Sequence, residues 1–282
     1  MNRRGSALLI LAAAALTACS SGGSGAQSGS VASASAAAAD AAGSTPPAAL
    51  TIDGAASLTG VLDKVKAAYD AAIPGTTLSI STDSSAALET QIEQGAPADV
   101  FLSADVTNPN RLVDKGLADG PAVPFAANKL TIIVPTANPA GIERPADLAW
   151  AGVKVIAAGD AVPITRYANQ LVANLAGQAG APADFVAKYD ANIVSKEDNV
   201  KAVVAKIELG EGDAGIVYVT DAQASTQVTT IDVPDATNVP ATYDGVVLKA
   251  SRNVVAARAF LTWFAGPAGQ AILATFGFLP PS

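Results

Sequence analysis

Histidine is absent from this 282-residue chain, and cysteine occurs only once. Without histidine there is no Ser-His-Asp or Cys-His catalytic arrangement and no imidazole ligand for a metal ion. A single cysteine excludes intrachain disulfide bonds and CxxC redox motifs. Charged residues make up only 15% of the chain, and its net charge of −8 argues against broad electrostatic binding of nucleic acid. Half of the residues are apolar, so most of the chain is expected to fold.

The N-terminus has the pattern of a bacterial lipoprotein signal. Arg3 and Arg4 precede the apolar segment ALLILAAAAL, which is shorter than the roughly 20 residues that a transmembrane helix needs. The segment ends in Leu-Thr-Ala-Cys, which resembles a lipobox, and the only cysteine, Cys19, stands where the lipobox requires it. We expect residues 1–18 to be removed as a signal peptide and Cys19 to carry a lipid. An ordinary cleavable signal with an incidental cysteine is the alternative.

Residues 19–48 follow this signal and are rich in Ala, Ser and Gly. Such a composition cannot build a packed core and is typical of a flexible tether. A short Ala-rich helix over residues 34–42 is the alternative, but it would be marginally stable alone. A lipid, a tether and a folded body predict a protein anchored at the extracytoplasmic face of the bacterial cell membrane without crossing it.

From Leu50 onward, short apolar strands alternate with amphipathic helices. Strands are predicted at residues 50–52, 78–80, 99–102, 130–134, 153–157, 214–218 and 246–248. Helices are predicted at residues 57–69, 84–95, 164–175, 200–209, 254–264 and from Gly266 to Phe276. This alternation predicts an α/β fold with parallel sheets covered on both faces, and the nearly continuous apolar run at 130–134 is typical of a buried parallel strand. The length of the folded body favours two α/β lobes over one sheet.

Four loops that precede predicted helices share one chemistry, because each exposes unpaired backbone N–H groups at a helix start. They lie at residues 53–57, 81–85, 158–164 and 195–199. In open α/β sheets such loops meet at the carboxyl ends of the strands. Together with the helix dipoles, they form an anion site that needs no Lys or Arg. Ser57 and Ser85 add hydroxyl donors, although each serine would alternatively be an ordinary N-cap worth about 1 kcal/mol to its helix.

These loops are similar to those of molybdate-binding proteins, the periplasmic components of molybdate ABC importers. The first match is GAASLT, which begins at Gly54. The second begins with SSAAL at Ser84 and continues into QIEQGAPADVFLSAD at Gln91, the most diagnostic stretch of the family. Shorter matches follow in the same order: Gly159-Asp160, Val162-Pro163, Tyr167-Ala168, Gly215-Ile216-Val217-Tyr218, Asp221-Ala222 and Gly277-Phe278-Leu279. The resemblance covers residues 49–282.

The resemblance implies a two-lobed periplasmic-binding-protein fold of type II, in which each lobe is a mainly parallel sheet flanked by helices. The expected lobe 1 comprises residues 49–128 and 227–282, and the expected lobe 2 comprises residues 129–226. The ligand is expected in the cleft between the lobes. A monomer that captures molybdate, and tungstate of nearly the same size, would deliver the anion to the permease of an ABC importer.

The resemblance also implies which groups hold the oxyanion. Ser57 and Ser85 each give a hydroxyl and a backbone N–H, Ile164 and Val200 give backbone N–H groups, and Tyr218 gives its phenol O–H. For Tyr218, a core tyrosine in a strand is the alternative. The family binds the anion without a cofactor and without a protein-ligated metal cation.

Two positions depart from the family pattern. Asp83 lies two residues before Ser85, where members usually carry a small residue. A carboxylate close to a dianion would be costly, so we expect Asp83 to point away, as a helix cap would. Ile164-Thr165 replaces a smaller pair, and its β-branched bulk would narrow the pocket.

Two other functions compete with molybdate capture. A binding protein for another tetrahedral oxyanion, such as sulfate or phosphate, would use the same kind of loops. An anchored serine hydrolase with a Ser–Lys pair would use Ser195-Lys196 or Ser57 with Lys64, but no SxxK motif is present. The chain also lacks the GxxxxGK[ST] motif of a nucleotide-binding loop. We therefore predict a passive receptor and not an enzyme.

Overall fold

The computed structural model describes residues 47–281. The predicted signal peptide, the lipidation site at Cys19 and residues 19–46 of the predicted tether lie outside the described residues. Ala48, the last residue of that tether as predicted, begins the first strand. Within residues 47–281, no helix is both long enough and apolar enough to span a membrane.

The strands of this part of the chain form two five-stranded sheets. They are β1 Ala48–Ala55, β2 Thr76–Asp83, β3 Val100–Leu102, β4 Val123–Asn128, β5 Leu130–Pro135, β6 Val155–Ala158, β7 Ile193–Glu197, β8 Ala214–Tyr218, β9 Val228–Ile231 and β10 Ala241–Val247. The order is β2-β1-β3-β10-β4 in sheet 1 and β7-β6-β8-β5-β9 in sheet 2. Each sheet therefore has three parallel strands, then one reversed strand, then an edge strand.

Helices cover these sheets. They are α1 Thr59–Ala72, α2 Ser85–Glu93, α3 Thr107–Asp114, α4 Pro163–Ala176, α5 Phe185–Asn192, α6 Val200–Glu208, α7 Val219–Gln223, α8 Val254–Ala265 and α9 Pro267–Thr275. Short 3₁₀ turns lie at Ala56–Leu58 and Pro145–Ala149. The helices bury apolar faces at helical spacing: on α1, Val61, Leu62, Val65 and Tyr69 are all buried, as the sequence periodicity predicts.

With three parallel strands in each sheet, the fold agrees with the mainly parallel lobes that the resemblance implies. The reversed strands correct one prediction, that the apolar run at 130–134 is a parallel strand. β5, which contains the apolar run at 130–134, pairs antiparallel with β8 and β9, with Leu130 opposite Tyr218 and Ile132 opposite Ile231. All six residues of β5 are buried. A continuous apolar run reflects burial on both faces of a strand, and it does not encode the direction of the neighbouring strands.

Two crossings join the sheets. Lys129 alone separates β4 in sheet 1 from β5 in sheet 2. The return crossing runs from β9 to β10 through residues 232–240. Because β9 pairs with β5 in sheet 2, this crossing comes after Ile231, later than the predicted lobe boundary at 226/227. The side chain of Asn238 hydrogen-bonds the backbone N–H and C=O of Leu130, which links the return crossing to the start of β5.

Candidate functional site

All five predicted site residues line one cavity between the two lobes. Ser57 follows β1, Ser85 begins α2, Ile164 lies in the first turn of α4, Val200 begins α6 and Tyr218 ends β8. The rest of the lining consists of Ala55, Ala56, Ser84, Ala104, Val162, Pro163 and Asn199. The space in which the centre of a water-sized sphere can move is about 10 Å³. This is room for about one small group. None of these lining residues is charged.

The two serine side chains are not helix caps. Ser57 lies inside the 3₁₀ turn, Ser85 is the first residue of α2, and no side-chain cap bond is present at either helix start. Instead, the Oγ of Ser85 accepts the backbone N–H of Ala104 at 3.0 Å. The Oγ of Ser57 lies 3.0 Å from the phenol oxygen of Tyr243. The N-cap interpretation of both serines is therefore wrong.

Four backbone N–H groups at the cavity are unpaired. Those of Ser57, Ser85, Ile164 and Val200 have no hydrogen-bond acceptor within residues 47–281. Each lies at a helix or 3₁₀ start, where the chain geometry leaves the first amides without an internal partner and the helix dipole is positive. At α6, the N-cap Asn199 accepts the N–H of Ala202 at 3.1 Å, which leaves the Val200 N–H free.

Tyr218 adds a phenol from sheet 2. Its ring is buried, and its Oη lies 3.5 Å from the backbone oxygen of Ala104, at the outer limit of a hydrogen bond. Burial raises the pKa of Tyr218 well above its usual value. The hydroxyl therefore keeps its proton and remains a donor.

The two departures from the family pattern affect the cavity differently. The Oδ1 of Asp83 accepts the N–H of Ser84 at 2.7 Å, and Asp83 is not among the lining residues. Its carboxylate binds an amide one residue before α2, although Ser84 is the N-cap of that helix. Thr165 turns away and donates its hydroxyl to the Gly159 oxygen at 2.8 Å, whereas buried Ile164 lines the cavity. Only Ile164 therefore adds bulk at the site.

One cation spans the cleft without lining the cavity. Arg166 of α4 lies 3.2 Å from the Oδ2 of Asp105 and 2.5 Å from the hydroxyl of Thr107, both in lobe 1. The other oxygen of Asp105 accepts hydrogen bonds from Ser103 and Asn108. Arg166 thus ties one lobe to the other.

Support behind the site includes Lys201, Tyr243 and Asn128, to which the sequence pattern did not point, and Asp221, which belongs to one of the shorter family matches. Lys201, next to Val200, lies 2.9 Å from the carboxylate of Asp221, which is fully buried on α7. Burial raises the pKa of Asp221, and the ammonium of Lys201 opposes that rise. Tyr243 of β10 and Asn128 of β4 lie behind Ser57. In the part of the chain that the structure describes, no cluster of acidic or cysteine side chains is arranged to hold a metal ion.

Two lobes of mixed sheet, joined by two crossings, with a cavity lined by helix starts and hydroxyl-bearing residues of both lobes, define a two-lobed solute-binding protein. Residues 50–279 match the family model of the bacterial extracellular solute-binding proteins, and the chain belongs to that family. Members of this family bind solutes, so the chain is a binding protein and not an enzyme. The serine hydrolase alternative is therefore excluded.

Individual relatives align with most of the chain. The molybdate-binding protein ModA of Mycobacterium tuberculosis (strain H37Rv) is 32% identical over 234 residues, which is 83% of this chain and 85% of the relative. A putative ABC transporter substrate-binding lipoprotein, YvgL of Bacillus subtilis, is 28% identical over 231 residues, 81% of this chain and 85% of the relative. The solved structure of the periplasmic molybdate-binding protein of Azotobacter vinelandii superimposes with a TM-score of 0.70 at 25% identity, and the match covers 83% of this chain and 100% of that structure.

Proposed function

We propose that the chain captures molybdate outside the cytoplasm and delivers it to the membrane permease of an ABC importer, with tungstate as a second ligand. The donor set of the cavity supports an oxyanion. The similarity to molybdate-binding proteins of M. tuberculosis and A. vinelandii supports molybdate among the oxyanions. Capture by a monomer is sufficient, because all proposed ligand-binding groups come from one chain.

The observation that carries this proposal is a cavity of unpaired neutral donors. The amides of Ser57, Ser85, Ile164 and Val200 are unbonded. Four residues that carry hydroxyl groups line the same space: Ser57, Ser84, Ser85 and Tyr218. A fully deprotonated tetrahedral dianion accepts hydrogen bonds at every oxygen and donates none. Each contact must therefore be donated by the protein, and hydrogen bonds to a charged acceptor are the stronger kind.

Size and protonation would select among the tetrahedral anions. Backbone donors at helix starts are fixed in space, so their hydrogen bonds lengthen and weaken when the anion is smaller. Sulfate is smaller than molybdate and would leave these bonds stretched. Phosphate near neutral pH keeps a proton that needs an acceptor. Tungstate is nearly the size of molybdate, so the cavity would accept both.

Closure of the lobes would complete the capture. Lys129 and residues 232–240 are the two connections between the sheets, and they form the natural hinge for such a motion. Closure brings lobe 2 donors at Ile164 and Val200 to the lobe 1 serines. The anion then exchanges its water shell for the protein donors.

Calorimetric titration of the ligand-free protein tests the choice of ligand. We expect tight binding of molybdate and tungstate, with sulfate at least about 100-fold weaker, a gap of about 2.7 kcal/mol. Phosphate is expected to be weaker as well, because its proton finds no acceptor in the cavity. Sulfate affinity equal to that of molybdate would contradict the proposed selectivity.

Removal of the charge at Arg166 tests whether neutral donors carry the anion. We expect Arg166→Ala to weaken molybdate binding by no more than about 5-fold, because a partly exposed ion pair is worth about 0.2–1 kcal/mol. The loss would arise from the missing link to Asp105. Arg258→Ala is the matched control, because its ion pair with Asp119 lies within lobe 1. If Arg166→Ala abolishes binding in calorimetry, an ion pair holds the anion instead.

Lipid anchoring at Cys19 is part of the proposal. It is supported by the lipobox-like sequence and by the name of the lipoprotein relative in B. subtilis. We expect Cys19→Ala to abolish acylation and shift the protein from the membrane fraction, whereas Ser21→Ala leaves both unchanged. Intact-mass measurement and membrane fractionation give the readout. A Cys19→Ala protein with the mass and membrane association of the wild type would disprove the anchor.

A further inference from the structure

A chain of buried polar groups lies directly behind Ser57. The Oγ of Ser57 is 3.0 Å from the Oη of Tyr243, and that Oη is 3.5 Å from the Nδ2 of Asn128. The same Nδ2 donates to the hydroxyl of Thr220 at 2.8 Å. Tyr243 is fully buried, and Asn128 is 1% exposed. Solvent therefore does not compete for these hydrogen bonds.

The direction of the hydrogen bonds along this chain is fixed by a backbone amide. The Oδ1 of Asn128 accepts the N–H of Lys129 at 2.9 Å. The other end of the Asn128 side chain must then be its NH₂ group, which can only donate. One of its hydrogens goes to Thr220. The second is available to the phenol oxygen of Tyr243, which lies 3.5 Å from the nitrogen, at the outer limit of a hydrogen bond.

The phenol of Tyr243 can consequently donate in only one direction. Within residues 47–281, Asn128 Nδ2 and Ser57 Oγ are the two polar atoms within hydrogen-bond reach of its Oη. Because Asn128 is a donor, the phenol proton goes to the oxygen of Ser57. The hydroxyl proton of Ser57 cannot then go to Tyr243, and it points towards the cavity instead. Burial raises the pKa of Tyr243 well above its usual value, so the phenol remains protonated.

The hydroxyl of Ser85, the second serine of the cavity, is also oriented as a donor towards the cavity, but by a different group. The Oγ of Ser85 accepts the backbone N–H of Ala104, so its hydroxyl proton is also free for the cavity. A backbone N–H cannot become an acceptor. The Tyr243 phenol can, and Asn128 is what prevents it from accepting a proton from Ser57. Whether the Ser57 hydroxyl donates or accepts towards the cavity therefore depends on the side chains of Tyr243 and Asn128.

We propose that Tyr243 and Asn128 are positioning residues that hold the Ser57 hydroxyl as a donor towards the ligand, and thereby exclude tetrahedral anions that still carry a proton. The inference rests on the proposed function and deepens it, because it assigns part of the anion selectivity to residues that do not touch the anion. A hydroxyl free to rotate accepts the proton of hydrogen phosphate. A hydroxyl fixed as a donor points its own proton at the proton of hydrogen phosphate, and no hydrogen bond can form between them. It therefore favours binding of molybdate and sulfate over hydrogen phosphate.

Tyr243→Phe tests this assignment in the full-length protein. Calorimetric titrations with sodium molybdate, sulfate and phosphate compare the variant with the wild type. We expect molybdate and sulfate affinities to fall about 10-fold, because one hydrogen bond that orients a ligand-binding hydroxyl is lost. Phosphate affinity is expected to stay the same or to rise, so the molybdate-to-phosphate ratio falls by at least about 10-fold.

The matched control is Tyr69→Phe. Tyr69 is another fully buried tyrosine of lobe 1, and its hydroxyl has no hydrogen-bond partner in the described part of the chain. Its replacement should leave all three affinities unchanged. If Tyr243→Phe weakens all three anions by the same factor, or changes none of them, Tyr243 does not set the polarity of Ser57 and the inference is wrong.

A second variant keeps the test decisive if Tyr243→Phe does not fold. Asn128→Asp preserves the shape and the acceptor for Lys129 but replaces the NH₂ donor with an acceptor. Tyr243 then donates to residue 128 and accepts from Ser57, which turns the Ser57 proton away from the cavity. The molybdate-to-phosphate ratio should fall again, and an unchanged ratio contradicts the inference.

The wild-type titration separates this inference from the proposed function. Wild-type protein that binds sulfate but not molybdate would disprove molybdate capture, and the sulfate-to-phosphate ratio would then test Tyr243 in the same way. Wild-type protein that binds none of the three anions would disprove both proposals.

Discussion

Replacing Val200 with proline should weaken molybdate binding by about 100-fold while the protein remains folded. The substitution removes one backbone N–H that is proposed to donate to the dianion. Hydrogen bonds to charged groups contribute about 1.5–3 kcal/mol, which corresponds to about 10- to 150-fold in affinity. The proline ring also occupies the space into which the N–H points, which places the expected loss towards the upper end.

The fold should tolerate this proline because of where Val200 lies. It is the first residue of α6, a position that proline favours since its amide has no partner inside the helix. The preceding Asn199 has φ −156° and ψ 170°, the extended backbone that a residue before proline adopts. We expect the free energy of unfolding without ligand to change by no more than about 1 kcal/mol.

Val200→Ala provides the matched control for this experiment. It removes most of the side chain but keeps the N–H, so its affinity for molybdate should stay within a few-fold of the wild type. Calorimetry measures the affinities, and thermal unfolding of the ligand-free proteins measures stability. If the proline variant is folded and binds molybdate as tightly as the wild type, the Val200 amide is not a ligand-binding group.

Local periodicity predicted most of the elements around the site. The apolar spacing of α1 and the end of α2 are confirmed: α2 stops at Glu93, and Gly95 follows with φ +92°, a left-handed conformation that favours glycine. These features depend on residues that are close together in the chain, so they can be predicted from the sequence pattern.

Strand direction and three of the four edge strands, β4, β7 and β9, were beyond the sequence pattern. β7 lies in a segment that the sequence analysis interprets as part of a loop, because its exposed positions carry Val194 and Lys196 and no strict apolar alternation is visible. Charged residues on an edge strand discourage pairing with other chains, and they also hide the strand from a hydrophobicity pattern. The antiparallel direction of β5 depends on the strands that it pairs with in the sheet, β8 and β9. The residue types of β5 do not indicate this direction.

The resemblance to a known family indicated the site residues, but not the groups that orient them. Ser57 and its partner Tyr243 are 186 positions apart in the chain. Tyr243 stands between Thr242 and Asp244, and nothing in this local sequence distinguishes its phenol from that of an ordinary core tyrosine. Contacts of that separation exist only once both crossings between the sheets have formed.

Ser85→Ala should lower both molybdate affinity and stability, through two different hydrogen bonds. The hydroxyl proton of Ser85 is proposed to bind the anion, and its loss should weaken binding by about 10- to 150-fold. The Oγ also accepts the N–H of Ala104, a residue that is 4% exposed. Without that oxygen a buried N–H is left unsatisfied, which costs about 1–3 kcal/mol of the free energy of unfolding.

The two effects are separable because only one of them needs the ligand. Thermal unfolding of the ligand-free variant measures the loss of the Ala104 hydrogen bond, and calorimetry at a temperature where the variant is folded measures the loss at the anion. Ser81→Ala, an exposed serine of β2, is the control that should change neither quantity. A destabilised Ser85→Ala protein that keeps full affinity would show that Ser85 supports only the loop after β3. A loss of affinity alone would show that another group satisfies the Ala104 amide when the serine oxygen is removed.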